Sequence, residues 1–318
     1  MESHSLEHFG KSFGIKKGAE QFPSMVVLSM TYVCNSRCPN CPYRTNPTIR
    51  ESYADARYIP AKLFRKIARE TGKHRAVLRL TGGGEPMMHP CARDLIAYAS
   101  KRKAKVSLIT NGSKLSVDDI NEMVMNGLYA IEFSVDAGTE KEYAKVRPGL
   151  KWHHIERIIP EVKRIRDYAR SKMLIIVSII GQRGVNINRA RKHWEPFCDV
   201  VQVRKFLTWG YNDPNKTADA SPYLPPNERI PCPWLFERIN IDTRGDVTYC
   251  GEDIAFAHKF ANITNRSIES VWTGPEMTNA RNLHISRRGD KLKMCAECPD
   301  WQYRSWKHNY WKMTEAKK

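Results

Sequence analysis

Six short runs rich in valine, isoleucine and leucine, near residues 25–31, 76–81, 105–110, 129–135, 173–180 and 200–206, alternate with amphipathic segments of helical period. That alternation is the strongest constraint on what the chain can fold into. Parallel strands need a crossover of a dozen or more residues, normally a helix, so six strand–helix units predict an α/β fold with a parallel sheet, open or curled into a partial barrel. In such sheets the active groups sit on the loops that follow each strand. Two helix starts can be read directly. Ser116 with Asp119 forms a capping-box pair, and Pro60 opens the segment that carries Leu63, Phe64 and Ile67. Around 157–172 the apolar stripe Ile158, Val162, Ile165 and Ala169 leaves the intervening basic residues on the outside.

Beyond residue 206 the pattern stops. Residues 207–231 hold Gly210, Pro214, Pro222, Pro225 and Pro226 among Asn and Asp, and read as a connector. Residues 238–249 alternate on either side of Gly245, which predicts a hairpin. The expected organisation is a basic extension at 1–24, the strand–helix region at 25–206, the connector, a small domain at 232–300 and a basic aromatic tail at 301–318. The longest nearly apolar run, 173–180, is too short to span a bilayer. No apolar stretch precedes Val26, so no signal peptide is expected and the expected location is cytoplasmic. Nine cysteines in that compartment point to metal or catalysis before disulfides.

The 318 residues carry 52 Lys and Arg against 34 Asp and Glu, a formal charge of +18. Such a surplus predicts attraction to a polyanion: nucleic acid, a phosphorylated substrate or an acidic surface. Basic residues cluster at 101–105, 163–172, 189–192 and 287–293. In the tail, Trp301, Tyr303, Trp306, Tyr310 and Trp311 interleave with Arg304, Lys307 and Lys312, a mixture that stacks bases while neutralising phosphates. The spacing of Tyr303, Trp306 and Tyr310 equally suits a helical stripe packed on a neighbouring domain.

The cysteines are more specific. Cys34, Cys38 and Cys41 form C-x3-C-x2-C directly after the first strand. Three thiolates can hold three irons of a 4Fe-4S cube and leave the fourth iron open, whereas a structural zinc site would need one distant ligand more. Thr81-Gly82-Gly83-Gly84-Glu85-Pro86 ends the second strand, Thr110-Asn111-Gly112 the third and Ser134-Val135-Asp136 the fourth. With these turns in place, residues 25–206 resemble the radical S-adenosylmethionine (SAM) superfamily, whose hallmarks are that cysteine motif and a Gly-Gly-Glu-Pro turn.

The resemblance implies a partial (β/α)6 barrel of the TIM type. Cys34, Cys38 and Cys41 would ligate the cluster that chelates SAM. Gly82, Gly83 and Gly84 would let backbone carbonyls approach its amino group, Glu85 and Pro86 would hold the turn, and Asn111 and Ser134 would contact the cofactor. Asp136 would face ribose or substrate. Many members carry an aromatic residue before the third cysteine, close to adenine; here Asn40 stands there, and Tyr43 is the candidate substitute. The resemblance further implies a flavodoxin- or ferredoxin-like reductase as electron donor.

Cys232, Cys250, Cys295 and Cys298 give C-x17-C-x44-C-x2-C around the predicted hairpin, a closed set suited to zinc or a fully ligated 4Fe-4S cluster. Behind a radical SAM core this resembles the twitch form of the SPASM auxiliary-cluster domain, with spacing like that of the 2-deoxy-scyllo-inosamine dehydrogenases. Cys91 and Cys198 remain, read as core thiols or as hydrogen-atom donors. Arg183, Arg204 and Lys205, at strand ends, are candidates for substrate binding or proton transfer. The resemblance implies reductive cleavage of SAM to a 5'-deoxyadenosyl radical. The charge directs that chemistry to a nucleobase or nucleotide, for example isomerisation of an amino-acid-modified thymine in phage DNA. Oxidation or epimerisation of a sugar or aminocyclitol is the alternative, and peptide maturation a further one.

Overall fold

A computed structural model describes residues 18–205, 230–296 and 298. The described residues divide into two compact units, 27–205 with 242–244, and 18–26, 230–241 and 245–296 with 298. The first unit begins at Val27, within β1 (Met25–Ser29), and runs on through α1 (Pro42–Thr45), α2 (Pro47–Ser52), α3 (Ala61–Lys73), β2 (Val77–Thr81), α4 (Ala92–Lys101), β3 (Lys105–Thr110), α5 (Val117–Met125), β4 (Ala130–Ser134), α6 (Glu140–Val146), α7 (Trp152–Tyr168), β5 (Leu174–Gly181), α8 (Ile187–Trp194) and β6 (Val200–Lys205).

The sheet keeps the order of the sequence, β1-β2-β3-β4-β5-β6. Its ladders are parallel, with Arg79 opposite Ser107, Ile131 opposite Leu108 and Ser178 opposite Gln202. Among the described residues β6 makes no ladder with β1, so the barrel is partial. The two faces differ sharply. Leu78, Leu80, Val106, Leu108, Ile131, Phe133, Ile175 and Val177 are buried on the face that meets the helices, where Gly112 sits against both Phe133 and Ile155 of α7. The register puts Arg79, Ser107, Glu132, Ser178, Gln202 and Arg204 on the other face, the barrel interior, interspersed with Ile109, Ile176 and Ile180. A barrel filled for stability alone carries Val, Ile and Leu there.

The helix starts follow the sequence reading. Ser116 and Asp119 form a complete capping box at α5, and Pro60 is the residue before α3. One boundary differs: α7 begins at Trp152 and ends at Tyr168, leaving Ala169 exposed. The left-handed backbone of Arg170, φ 51°, stops the helix there.

The second unit contains α9 (Trp234–Glu237), β7 (Arg238–Ile241), β8 (Asp246–Thr248), β9 (Ala261–Asn262), α10 (Ile268–Trp272), α11 (Pro275–Ile285) and α12 (Lys293–Ala296). The predicted hairpin is β7–β8, antiparallel with Ile241 opposite Val247. Its core includes Arg281, which donates to the carbonyls of Leu235 and Trp272 and lies 4.0 Å over the Trp272 ring. Burial pulls the Arg281 pKa down to about 10. The tip of the hairpin groups with the first unit. Thr243 Oγ1 donates to the Ala56 carbonyl at 2.7 Å, and Arg244 donates to the Ser52 carbonyl at 2.7 Å and pairs with Asp55. Residues 1–17, most of the expected connector and the tail at 301–318 lie outside the described residues.

Candidate active site

The loop after β1 carries Cys34 and Cys41, half-buried, and Cys38, buried. Its backbone is shaped around the sulfurs. The Ser36 amide donates to Cys34 Sγ at 3.4 Å, Ser36 Oγ lies 3.0 Å from Cys38 Sγ, and the Cys41 amide donates to the Cys38 carbonyl at 3.1 Å. Burial pushes the Cys34 thiol up and the Cys41 thiol up to about 11, so loading a metal must displace protons.

The glycine turn holds this loop from behind. A Cβ on Gly84 would lie 2.3 Å from the Val33 carbonyl oxygen, and one on Gly83 would lie 2.3 Å from the Tyr32 ring and 2.5 Å from that of Tyr43. Gly82 has φ 132° and would press a Cβ into Ser29 at 2.8 Å. All three glycines are therefore required by the chain's own packing. The Glu85 amide donates to the Val33 carbonyl at 2.9 Å, and its buried carboxylate accepts from Thr110 Oγ1 at 2.6 Å, the Asn111 amide at 2.6 Å and the Met87 amide at 3.2 Å. Asn111 Nδ2 in turn donates to Asn35 Oδ1 at 3.0 Å, and Asn35 Nδ2 to Ser113 Oγ at 2.8 Å. One continuous network thus ties the ends of β2 and β3 to the residue after Cys34. Burial raises the Glu85 pKa, and its neutral donors only partly offset that.

The turn after β4 contributes from the other side. Asp136 is buried with φ 59°, and both its oxygens are used within the fold, one accepting from Arg147 Nη2 at 2.5 Å and the other from the Ile180 amide at 2.8 Å. Arg147 Nη1 also donates to Cys38 Sγ at 3.5 Å, and Arg147 Nε is buried without a partner. Burial alone would lower the Arg147 pKa, but Asp136 and Cys38 hold it above its ordinary value. A positive charge so placed offsets the negative charge of a thiolate-bound cluster. Ser134, half-buried, ends β4 beside Ser178 of β5.

Other expected residues are placed as follows. Arg204 crosses the barrel interior to pair with Glu132, which also accepts from Arg79 at 2.7 Å. Arg183 is exposed after β5, and Lys205 is the last residue of β6. Tyr43 lies in an aromatic group with Tyr32 and Tyr53, the last two stacked at 3.5 Å. Cys91 is exposed before α4; Cys198 is half-buried and donates to the Trp194 carbonyl. The sequence reading passed over Arg147, Asn35 and the Arg79–Glu132 pair. The pair did leave a signal, since a charged residue in the middle of an apolar strand demands a partner.

In the second unit Cys232, Cys250, Cys295 and Cys298 are all half-buried. The Glu252 amide donates to Cys250 Sγ at 3.4 Å, the same i to i+2 arrangement as at Cys34. Among the described residues no three His, Cys, Asp or Glu side chains are already gathered as a metal shell. The fit rests on the donors: soft thiols in a triplet and a quartet, with amides and a guanidinium directed at sulfur.

Residues 28–193 match the Radical SAM superfamily, and residues 232–299 match the SPASM iron-sulfur cluster-binding domain. The chain belongs to the radical SAM superfamily and is an enzyme of the radical SAM and SPASM type, with 4Fe-4S clusters and SAM as cofactors. It is 23% identical over 290 residues to the antilisterial bacteriocin subtilosin biosynthesis protein AlbA of Bacillus subtilis (strain 168), covering 81% of this chain and 62% of that one. The chain thus spans less than two thirds of that relative. Its fold resembles Streptococcus suis SuiB bound to precursor peptide SuiA (TM-score 0.63, 13% identity, 91% of this chain and 72% of that one). It also resembles BtrN in complex with AdoMet and 2-DOIA (TM-score 0.54, 14% identity, 86% and 92%). Among the described residues no helix is long and apolar enough to cross a membrane.

Proposed function

We propose that this enzyme removes a hydrogen atom from a carbon of a peptide substrate and passes the second electron of an oxidation to the SPASM unit. The observation that carries this is the similarity in sequence to a bacteriocin biosynthesis protein across 81% of the chain, joined by likeness of fold to an enzyme seen with its precursor peptide. When bound, the first cluster and SAM supply a primary carbon radical. The chain's part is to hold Cys34, Cys38 and Cys41 in place through Glu85, Asn111 and Asn35, and to present a polar interior between Arg79, Glu132 and Arg204.

A nucleobase substrate, such as a modified thymine, is a second reading, favoured by the charge of +18. That net charge already counts every acid, but ion pairs lower the local surplus of two basic clusters: Lys163 binds Asp167, Arg164 binds Glu161, Arg166 binds Asp167 and Asp199, and Arg189 binds Glu142. A peptide rich in Asp and Glu would satisfy both the relatives and the remaining charge. Oxidation of an aminocyclitol finds its support in the likeness to BtrN.

The test is release of 5'-deoxyadenosine by the anaerobically reconstituted enzyme with dithionite, offered acidic peptides, oligodeoxynucleotides and aminocyclitols in parallel. Release stimulated by peptide is the expected result. Stimulation by DNA alone or by a cyclitol alone would replace the proposal. Cys34→Ala should abolish release with every substrate, and retained release would overturn its assignment as a cluster ligand.

A further inference from the structure

Two side chains one turn apart on α11 grip the segment that opens with Cys232. The Cys232 amide donates to His284 Nδ1 at 3.3 Å, and Arg281 Nε donates to the Leu235 carbonyl at 2.9 Å. Residues three apart on a helix share a face, and here that face meets residues 232–235. The same imidazole lies against the turn at Gly289–Lys291, where a Cβ on Gly289 would be 3.2 Å from His284 Nε2. The carbonyl of the next residue, Leu292, accepts from the Cys295 amide at 2.8 Å. This face of α11 therefore stands against the approaches to two of the four cysteines.

Arg281 is the anomaly on that face. It is 4% exposed; its partners are the carbonyls of Leu235 and Trp272 and the Trp272 ring, and its Nη2 is shielded without a partner. Among the described residues no acid offsets its burial. A guanidinium stays charged at neutral pH, and a buried charge without a counter-charge is strongly destabilising. Capping the carbonyl ends of two short helices calls for donors and not for a charge. The charge answers an anion brought in with the metal: four thiolates around a 4Fe-4S core carry about two negative charges when oxidised and about three once an electron is added.

We propose that Arg281 is the counter-charge of the cluster held by Cys232, Cys250, Cys295 and Cys298, and that it favours the reduced state by keeping a fixed positive charge on that side of it. The guanidinium is protonated in both states, so one electron enters and no proton moves. The inference rests on the SPASM assignment and holds whatever the substrate is, since it concerns how readily this unit accepts an electron.

The experiment uses the full-length chain carrying Cys34→Ala, Cys38→Ala and Cys41→Ala, so that one cluster is reconstituted, and follows its reduction by EPR with dithionite and a series of redox dyes. Arg281→Gln, with about four irons per chain retained, should disfavour reduction by roughly tenfold, about 59 mV for one electron. Arg281→Lys keeps the charge but cannot span both carbonyls; its reduction equilibrium should stay within about threefold of the parent while its stability in urea falls. An unchanged potential in Arg281→Gln, or a shift in Arg281→Lys as large as in Arg281→Gln, would overturn the proposal and leave Arg281 a helix cap. If Arg281→Gln fails to hold iron, the lysine variant decides: iron retained at the parental potential supports the counter-charge, and iron lost equally defeats it. A parent chain that takes up no iron would overturn the proposal together with the assignment of the four cysteines.

Discussion

Two regions of the first unit each bury a glutamate completely, and they drive it in opposite directions. At the rim, Glu85 is surrounded by the neutral donors of Thr110, Asn111 and Met87, and burial raises its pKa. In the barrel interior, Glu132 is as deeply buried, but Arg204 and Arg79 outweigh desolvation and hold its pKa low. Burial alone does not decide the charge of a carboxylate; its partners do. The rim glutamate is a hub that takes three hydrogen bonds from two segments, the end of β3 and its own turn. The interior glutamate is a counter-ion that permits two arginines inside a sheet.

The largest effect expected from breaking this contrast is in the interior. Glu132→Ala removes the carboxylate that pairs with buried Arg79 at 2.7 Å and should cost about 3–5 kcal/mol in chemical denaturation. A loss below 1 kcal/mol would mean that water or another group already solvates the guanidinium. Glu85→Gln should cost less, about 1–3 kcal/mol, because shape is kept while one amide donor is turned against another. Its effect on SAM cleavage should exceed its effect on stability, since the Asn111–Asn35 link to the cysteine loop is disturbed; equal losses would reduce Glu85 to a purely structural residue.

The smallest effect is the most diagnostic. With a lowered folded pKa, Glu132 contributes stability that is present above its unfolded value, about 4.3, and is lost as pH falls through the folded value. With a raised folded pKa, Glu85 contributes stability that is complete below about 4.3 and is lost as pH rises through the folded value. Denaturation of Glu132→Gln and Glu85→Gln between roughly pH 3 and 7 should therefore give difference curves against wild type that slope in opposite senses. Parallel slopes would sink the contrast.

What was legible in the sequence was local. The strand runs, the Ser116–Asp119 cap and the hairpin around Gly245 depend on neighbours within a few residues, and the structure has them at or within two residues of the expected positions. The cysteine triplet and the glycine turn could be read as motifs. The reason each glycine is needed could not, since Val33, Tyr32 and Ser29 lie about fifty residues away. The resemblance implies that Asp136 faces ribose or substrate; the partners that hold its carboxylate, Arg147 and the Ile180 amide, the second of them 44 residues on, leave no local signal. The charge is legible in the sequence only as a total: within the 163–172 cluster Lys163 pairs with Asp167 and Arg164 with Glu161 along one helix, and a count of residues does not show where the surplus of +18 lies.

The placement of residues 242–244 has a practical consequence for anyone dissecting this enzyme. A boundary drawn at the end of β6 looks natural on paper, yet it deletes Thr243 and Arg244 from the unit it is meant to isolate. Ala56, Ser52 and Asp55 would lose their partners, and the ring of Tyr53 would lose the guanidinium that lies 5.4 Å above it. A chimera that keeps the first unit must therefore keep residues 242–244 together with α2 and the loop that follows it.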